Sequence, residues 1–298
     1  MDLRFNLVIL LLVLTVLGIA ARSRQRFLSR RQFARRHGCQ PVAKCSSKSP
    51  FLGLDTIPGT IRAVKGHRIL QRGCELFRQY GNTFTFKELH RRAVLTIVPQ
   101  NIKTILSLSF ARDQVADLSL LEGLTQDLFV LLPRDGRTID LQGKELRGLK
   151  YTQHCVDESL RLHPVVSRNE RRAIWDTVLP LGGGEDGLTP DFVPKGTLVA
   201  YNIYAMHRRA DLYGPDAEEF RPERWEDGTL QPRWGYLPFN GGPRICIGQR
   251  YALTEVSYVL FRMVQKFREL ESRDSGPWEE SLALTLCSRN GTKVGLIP

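Results

Sequence analysis

The stretch FNGGPRICIG, residues 239–248, decides how this chain is interpreted. Its single cysteine, Cys246, follows a glycine-rich turn and precedes a run with helical apolar spacing. Backbone N–H groups at the start of a helix stabilise a negatively charged sulfur, and glycines let the backbone approach a large flat ligand closely. Arg244 offers a fork of donors to a carboxylate. The pattern indicates a thiolate metal ligand, although a lone cysteine in such a loop is more often a buried packing residue.

The whole stretch resembles the heme-binding signature of the cytochrome P450 family, Phe-x-x-Gly-x-Arg-x-Cys-x-Gly, at every fixed position. The matching residues are Phe239, Gly242, Arg244, Cys246 and Gly248. The resemblance implies that the cofactor is heme b and that the Cys246 thiolate is the axial ligand of its iron. It also implies that the other four residues form the surrounding cofactor-binding loop.

Two further motifs occur in the order found in that family. Glu158 and Arg161 share one face of a helix predicted over Leu149–Leu162. Taken alone, such a pair is an ordinary surface ion pair worth less than about 1 kcal/mol. Together with Arg224, in the Pro-Glu-Arg-Trp segment, the pair resembles the family's charged triad. The resemblance implies a buried network that braces the cysteine loop and takes no part in bond making.

Two other positions match the family less specifically. Arg171 aligns with a residue that often reaches a heme propionate, but the neighbouring Arg168 and Arg172 leave that assignment open. His207 lies in a Tyr-Ala-Met-His-Arg stretch where the family often has His-Arg. We therefore interpret His207 as a structural residue and not as an iron ligand.

The resemblance implies a mainly α fold with small β-sheets, an α+β class, in the form of a truncated P450 fold behind an N-terminal transmembrane anchor helix. Apolar spacing predicts helices over 64–80, 99–108 and 247–267, strands over 83–86, 94–98 and 197–203, and a terminal hairpin from 281–288 with Asn290-Gly291. The expected divisions are an anchor (1–21), a basic Pro/Gly-containing linker (22–60) and an incomplete P450 domain (61–298). That domain divides into a β-rich part (61–108), a shortened central region (109–143) and a heme-binding part (144–298).

The central region is the main departure from the family. Only a short segment separates Leu108 from the Glu158 helix, where the family has most of its helices. The nearest string to the family's oxygen-activating acid–alcohol pair is Glu122-Gly123-Leu124-Thr125, but its acid precedes the glycine. We therefore assign no catalytic residue, and we expect one face of a bound heme to be open to water.

Two functions from different classes are consistent with these motifs. The first is a heme-thiolate monooxygenase that hydroxylates an unactivated C–H bond of an apolar substrate with O2. Its electrons would come from NADPH through NADPH–cytochrome P450 reductase, near Arg244 and Arg250. Similarity of residues 239–252 and 180–184 to fungal alkane and fatty-acid hydroxylases favours an n-alkane or a fatty acid. The second is a catalytically inactive, membrane-anchored remnant, produced by splicing, gene decay or an incomplete gene model, that at most binds heme.

The cysteines disfavour a third class, a zinc or iron–sulfur protein. The chain has 6 cysteines, and one motif cysteine cannot furnish a four-ligand site. Their spacing does not indicate a disulfide framework either. Free thiols are typical of the reducing cytosolic side of a membrane.

The N-terminus indicates membrane attachment. Phe5–Ala21 contains only Asn6 and Thr15 as polar members, which is near the lower limit for a bilayer span. A cleaved signal peptide is the alternative, but the run is long and an arginine cluster follows it within residues 22–36. The positive-inside rule then places the cluster and everything after it in the cytoplasm. The family resemblance implies that the membrane is that of the endoplasmic reticulum, spanned once. Much of the chain's positive charge lies in this segment, which favours lipid headgroups and gives no support to nucleic-acid binding.

Overall fold

The computed structural model describes residues 3–45, 56–88, 91–107, 143–226, 228 and 230–298. Its mixture of helices and small sheets confirms the predicted α+β class. The helices are α1 (Leu3–Arg36), α2 (Thr56–Lys65), α3 (Ile69–Tyr80), α4 (Pro99–Ser107), α5 (Gly143–Leu162), α6 (Ile203–Met206), α7 (Ala210–Tyr213) and α8 (Gln249–Lys266). The strands are β1 (Ala43–Lys44), β2 (Thr83–Glu88), β3 (Arg91–Thr96), β4 (Arg168–Arg172), β5 (Thr177–Gly183), β6 (Thr189–Val193), β7 (Leu198–Asn202), β8 (Glu269–Ser272), β9 (Glu280–Leu282), β10 (Leu286–Ser288) and β11 (Val294–Ile297).

The largest sheet of the described chain has the strand order β1-β2-β3-β7-β4. The strands β2 and β3 form an antiparallel hairpin, β7 runs parallel to β3, and β4 closes the sheet antiparallel to β7. The last four residues of β7 are buried, including Val199 and Tyr201. Burial on both faces is typical of a central strand covered by helices and loops. Strand β7 therefore lies in the middle of the core and leads directly into α6.

The core holds α4 against both the sheet and β5. Apolar contacts come from residues such as Ile102 and Ile105, which have no exposed surface. The buried amide of Asn101 adds specificity: its Nδ2 donates to the Leu181 carbonyl at 2.8 Å, and its Oδ1 accepts the Leu181 N–H at 3.0 Å. Because a buried amide with satisfied partners tolerates little displacement, Asn101 fixes the position of α4.

Two sequence predictions were wrong in detail. The helix predicted over 64–80 is divided into α2 and α3, because His67 adopts a left-handed φ of 50° between them. The alternation of Leu282, Leu284 and Leu286 does not form one strand. Instead, Leu282 pairs with Leu286 across a turn at Leu284, so the hairpin bends before Asn290-Gly291.

Helix α1 continues to Arg36, well beyond Ala21, where we expected a linker to begin. Its last turns pack on the β5–β6 hairpin. Arg30 Nε donates to Asp176 Oδ2 at 3.0 Å, and the rings of Phe33 and Phe192 lie 5.6 Å apart. Arginine is a good helix former, so the basic cluster extends the helix.

The predicted transmembrane anchor is not confirmed. Within the described ranges, no helix combines the length and the apolarity needed to cross a bilayer. The division into anchor, linker and domain stays a prediction. The central region predicted over 109–143, including Glu122-Gly123-Leu124-Thr125, lies outside the described residues except for Gly143.

Candidate functional site

Cys246 lies on an exposed loop between a short 3-10 turn (Gly242–Arg244) and helix α8. Its backbone N–H donates to the Phe239 carbonyl oxygen at 2.8 Å, and this bond closes the loop. Helix α8 begins at Gln249, immediately after Gly248. The sulfur is therefore presented at the start of a helix, as the sequence pattern predicted, and all six cysteines are free.

The residues on either side of Cys246 in the sequence are apolar and exposed. Ile245 and Ile247, on either side of the cysteine, are 53% and 44% exposed. The stripe predicted for α8 is also uncovered: Val256 and Val259 are exposed, and no residue of this helix is buried. An exposed cysteine with exposed apolar residues on either side of it in the sequence suits a large, flat, apolar ligand that carries a metal. The residues present therefore fit a heme group.

The glycine turn of the loop packs closely against its surroundings. A Cβ atom at Gly241 would lie 3.0 Å from side-chain atoms of both Trp234 and Leu237. Gly242 has a φ of 66°, and its Cβ would lie 3.0 Å from the Leu106 carbonyl oxygen at the end of α4. Gly242 therefore combines a left-handed backbone with a close approach to α4, two conditions that favour glycine.

Glu158 and Arg161 form a buried ion pair on α5, and neither has any exposed surface. Arg161 Nε donates to Glu158 Oε2 at 2.8 Å and its Nη2 donates to Oε1 at 2.9 Å, which is a two-point contact. Such a bidentate arrangement is stronger and more directional than a surface ion pair. The pair is therefore a core element and not the ordinary surface pair considered above.

The same carboxylate receives three more hydrogen bonds from the 3-10 segment Pro222–Trp225 and its preceding residue. Arg224 Nε donates to Glu158 Oε1 at 2.8 Å, and Trp225 Nε1 donates to Oε2 at 3.0 Å. The backbone N–H of Arg221 donates to Oε1 at 2.9 Å. Burial alone would raise the pKa of Glu158, but the hydrogen bonds and charge of its partners lower it to about 2.

The remaining arginine donors bind mainly main-chain carbonyl oxygens, with one longer contact of 3.4 Å from Arg224 Nη1 to Asp216 Oδ1. Arg161 Nη1 donates to the carbonyls of His207 and Ala217 at 2.7 and 2.6 Å. Arg224 Nη1 donates to the Tyr213 carbonyl at 2.7 Å. These bonds connect α5 to the chain between His207 and Arg224, which precedes the cysteine loop.

His207 extends this connection toward the loop. Its Nδ1 lies 3.1 Å from the Arg161 carbonyl oxygen, and its Nε2 accepts the backbone N–H of Leu237 at 2.9 Å. The second bond requires a neutral Nε2, so Nδ1 carries the proton and donates to Arg161. Leu237 lies two residues before Phe239, whose carbonyl binds the Cys246 N–H. Both ring nitrogens of His207 are thus engaged within the protein.

Sheet geometry distinguishes Arg171 from its neighbours. Arg168 and Arg172 are exposed, whereas Arg171 is half-buried and pairs with Val199 of β7. Opposite residues of an antiparallel pair share a face, so Arg171 and Asn169 lie on the face that Tyr201 also occupies. Arg171 Nη1 donates to Asn169 Oδ1 at 2.9 Å.

Sequence reasoning missed several supporting residues. The indole of Trp225 and the N–H of Arg221 bind Glu158, although Trp225 stood within the motif that was identified. Tyr201 and Asn240 also join the sheet to the cysteine loop, through a hydrogen bond of 2.9 Å. The local patterns available from the sequence gave no signal for this last contact.

Replacing the buried carboxylate should strongly destabilise the fold. We expect Glu158→Gln to lower the free energy of unfolding by about 3–5 kcal/mol, because two buried guanidinium groups lose their counter-charge. The matched change Glu279→Gln, in an exposed pair with Arg289, should cost less than about 1 kcal/mol. Urea unfolding of both variants measures the difference, and equal losses would contradict the buried role of Glu158.

Acid should destabilise the protein in part through His207. Burial lowers the pKa of His207 from 6.5 to about 3, an effect to which the charges of Arg161 and Arg208 contribute. Between these values the unfolded chain binds a proton that the folded chain does not, so stability falls as pH falls.

Between about pH 6 and pH 5, the unfolding free energy of the wild type should therefore fall more steeply with decreasing pH than that of a His207→Asn variant. The two slopes should differ by up to about 1.4 kcal/mol per pH unit. His163, whose pKa burial also lowers, continues to contribute in both proteins. Parallel slopes for the two proteins would show that His207 is not held neutral in the fold.

Comparison with known proteins places this arrangement in a family. A family model described as Cytochrome P450 matches residues 120–291, which is more than half of the chain. The chain is 59% identical to cytochrome P450 monooxygenase himC of Aspergillus japonicus over 153 residues, covering 51% of this chain and 27% of that protein. It is 46% identical to cytochrome P450 52A13 of Debaryomyces hansenii over 164 residues, covering 54% and 31%.

A third relative, cytochrome P450 monooxygenase FPY7 of Fusarium mangiferae, is 56% identical over 151 residues, or 51% of this chain and 29% of that protein. The matched part of the chain thus spans less than a third of the length of each of these relatives. The matched family segment contains the Glu158 network and the Cys246 loop described above. On this evidence the chain belongs to the cytochrome P450 family.

Proposed function

We propose that this chain is a heme-thiolate monooxygenase in which the Cys246 thiolate would hold the iron of heme b. The observation that supports this most directly is that Cys246 is exposed immediately before α8, between two exposed isoleucines, and that α8 itself carries exposed valines. The family membership of the segment that contains this loop supports the same assignment.

When bound, heme supplies the dioxygen chemistry that converts a C–H bond to C–OH, with one oxygen atom leaving as water and two electrons coming from NADPH. The residues of the chain bind and orient. Cys246 contributes the sulfur, while Phe239, Gly242 and Gly248 shape the loop around it. Arg171 and Arg244 are the cations that we assign to the heme carboxylates. Glu158, Arg161 and Arg224 hold the chain that leads to the loop.

The substrate and the electron donor belong to the same proposal. The sequence similarity of residues 239–252 to fungal alkane and fatty-acid hydroxylases favours an n-alkane or a fatty acid. Electrons would come from NADPH–cytochrome P450 reductase, with Arg250 at the exposed start of α8 as a contact for an acidic partner surface. Both assignments depend on heme binding at Cys246.

Membrane attachment is also part of this proposal. The apolar residues of α1 from Leu10 to Ile19 are mostly exposed, and Thr15 is the one polar side chain among them, so the surface is unfavourable in water. We infer that α1 attaches the chain to the endoplasmic reticulum membrane with the domain in the cytoplasm. The full chain should stay with the membrane pellet after an alkaline carbonate wash, and its release would contradict the assignment.

A specific observation favours a second candidate, a membrane-anchored heme-binding remnant without turnover. Helix α8 has no buried residue, and its exposed valines leave apolar surface in contact with water. A heme site that admits water releases reduced oxygen instead of oxidising a substrate. The two candidates share heme binding and differ only in turnover.

The test of the shared assignment is spectroscopic. The full chain, reconstituted with hemin, reduced and treated with carbon monoxide, should show the red-shifted absorption of a thiolate-bound heme. A Cys246→Ser variant should lose that absorption because the hydroxyl does not replace a thiolate as a ligand. The matched variant Cys287→Ser, at the other exposed cysteine, should keep it. Retention of the band in Cys246→Ser would overturn the ligand assignment.

Turnover separates the two candidates. With reductase, NADPH and a long-chain fatty acid, the monooxygenase should form hydroxylated product, detected by mass spectrometry, with product and NADPH consumption coupled. Red-shifted heme without any product would favour the remnant.

A further inference from the structure

Asn240 occupies an unusual position in the cysteine loop. Its φ of 66° is left-handed, and Asn240 is one of few non-glycine residues in the described chain with a positive φ. Its Nδ2 donates to the Arg244 carbonyl oxygen at 3.1 Å, across the 3-10 turn that precedes Cys246. Asparagine tolerates this backbone conformation better than most residues, particularly when its side chain bonds locally.

A buried tyrosine of the central strand holds the same side chain. Tyr201, on β7, has no exposed surface, and its hydroxyl donates to Asn240 Oδ1 at 2.9 Å. Burial raises the pKa of Tyr201 to about 12, so the hydroxyl keeps its proton and remains a donor. One hydrogen bond thus connects the sheet to the loop at Asn240. A second bond connects the Asn240 side chain to Arg244.

We propose that Tyr201 and Asn240 are positioning residues that set the conformation of the loop presenting Cys246, so that the sulfur points at the heme iron. The effect on iron ligation rests on the proposed function. The effect on the conformation of the loop, the structural step, does not. The Asn240 side chain spans from the sheet to Arg244, and Phe239, the residue before Asn240, accepts the Cys246 N–H. Residues 245–247 of this loop are exposed, so the loop has few packing contacts of its own and its conformation depends on such hydrogen bonds.

The nearby charge of Arg171 is consistent with this arrangement. Arg171 lies on the same face of the sheet as Tyr201 and is hydrogen-bonded to Asn169, the residue opposite Tyr201; its charge opposes the rise in the pKa of the Tyr201 phenol. If Arg171 also contacts a heme carboxylate, the cofactor would be held from the sheet on one side and through the loop on the other.

The structural step can be tested without heme. In the heme-free full chain, Tyr201→Phe should speed amide hydrogen exchange in the peptide spanning residues 239–248 by roughly tenfold, the factor that corresponds to losing one hydrogen bond worth about 1.4 kcal/mol. The matched control is Tyr213→Phe, which removes an equally buried hydroxyl that donates to the Gly235 carbonyl at 2.9 Å. Exchange in 239–248 that rises equally in both variants would overturn the proposal.

Variants of Asn240 distinguish the effect of its side-chain hydrogen bonds from the effect of its left-handed backbone conformation. Asn240→Gly accepts the left-handed φ but removes both hydrogen bonds, so it should match Tyr201→Phe or exceed it. Asn240→Asp keeps an acceptor for Tyr201 and loses the donor to Arg244, so its exchange should be intermediate. If Asn240→Gly exchanges like the wild type, the side-chain bonds do not hold the loop and the proposal fails.

Iron ligation is measured by the thiolate absorption band of protein reconstituted with hemin. Tyr201→Phe and Asn240→Gly should bind hemin but show at least a several-fold smaller share of the red-shifted thiolate band than Tyr213→Phe. An unchanged share, despite faster exchange, would overturn positioning of the ligand. If the wild type itself shows no such band, the proposed function fails, while the exchange data still decide whether Tyr201 and Asn240 hold the loop.

Discussion

A carboxylate without exposed surface, that of Glu158, accepts hydrogen bonds from two guanidinium groups, one indole and one backbone N–H. Removing a carboxylate from water costs several kcal/mol, so this arrangement is stable only when every partner is present at once. The contacts come from α5 and from the segment ending at Trp225, which are separated along the chain. The network therefore requires one particular tertiary arrangement. The path of hydrogen bonds that connects α5 to the cysteine loop forms only in that arrangement.

That path continues through His207, which hydrogen bonds to the main chain at Arg161 and at Leu237. A second path reaches the loop from the sheet through Tyr201, and a third comes from α4, whose Leu106 carbonyl lies against Gly242. Asn101 fixes α4 in turn. Three elements thus contact the loop or the residues that lead into it, while Cys246 itself is exposed. A supported loop with an exposed cysteine is consistent with the heme binding proposed above.

The sequence was sufficient to identify the members of the charged network, but not the residues that support the cysteine loop. Glu158, Arg161 and Cys246 stand in motifs with fixed spacing, so local pattern was enough to find them. Arg171 could not be separated from Arg168 and Arg172 until its pairing with β7 showed which residues face inward. The contacts of Tyr201 and His207 join residues about 30 or more positions apart, and such pairings depend on the packed fold. The same holds for the break at His67, where a left-handed backbone interrupts a continuous apolar pattern.

The supports differ in what they contribute physically. Charged hydrogen bonds around Glu158 are strong and buried, so they contribute mainly to whether the domain folds. The bond between Tyr201 and Asn240 is neutral, and it acts on a loop whose backbone at Asn240 is held in an uncommon conformation. Its loss would leave the core intact and widen the range of conformations available to Cys246. Fold stability and ligand geometry are thus supported by different groups, which allows a chain of this family to retain one while the other changes.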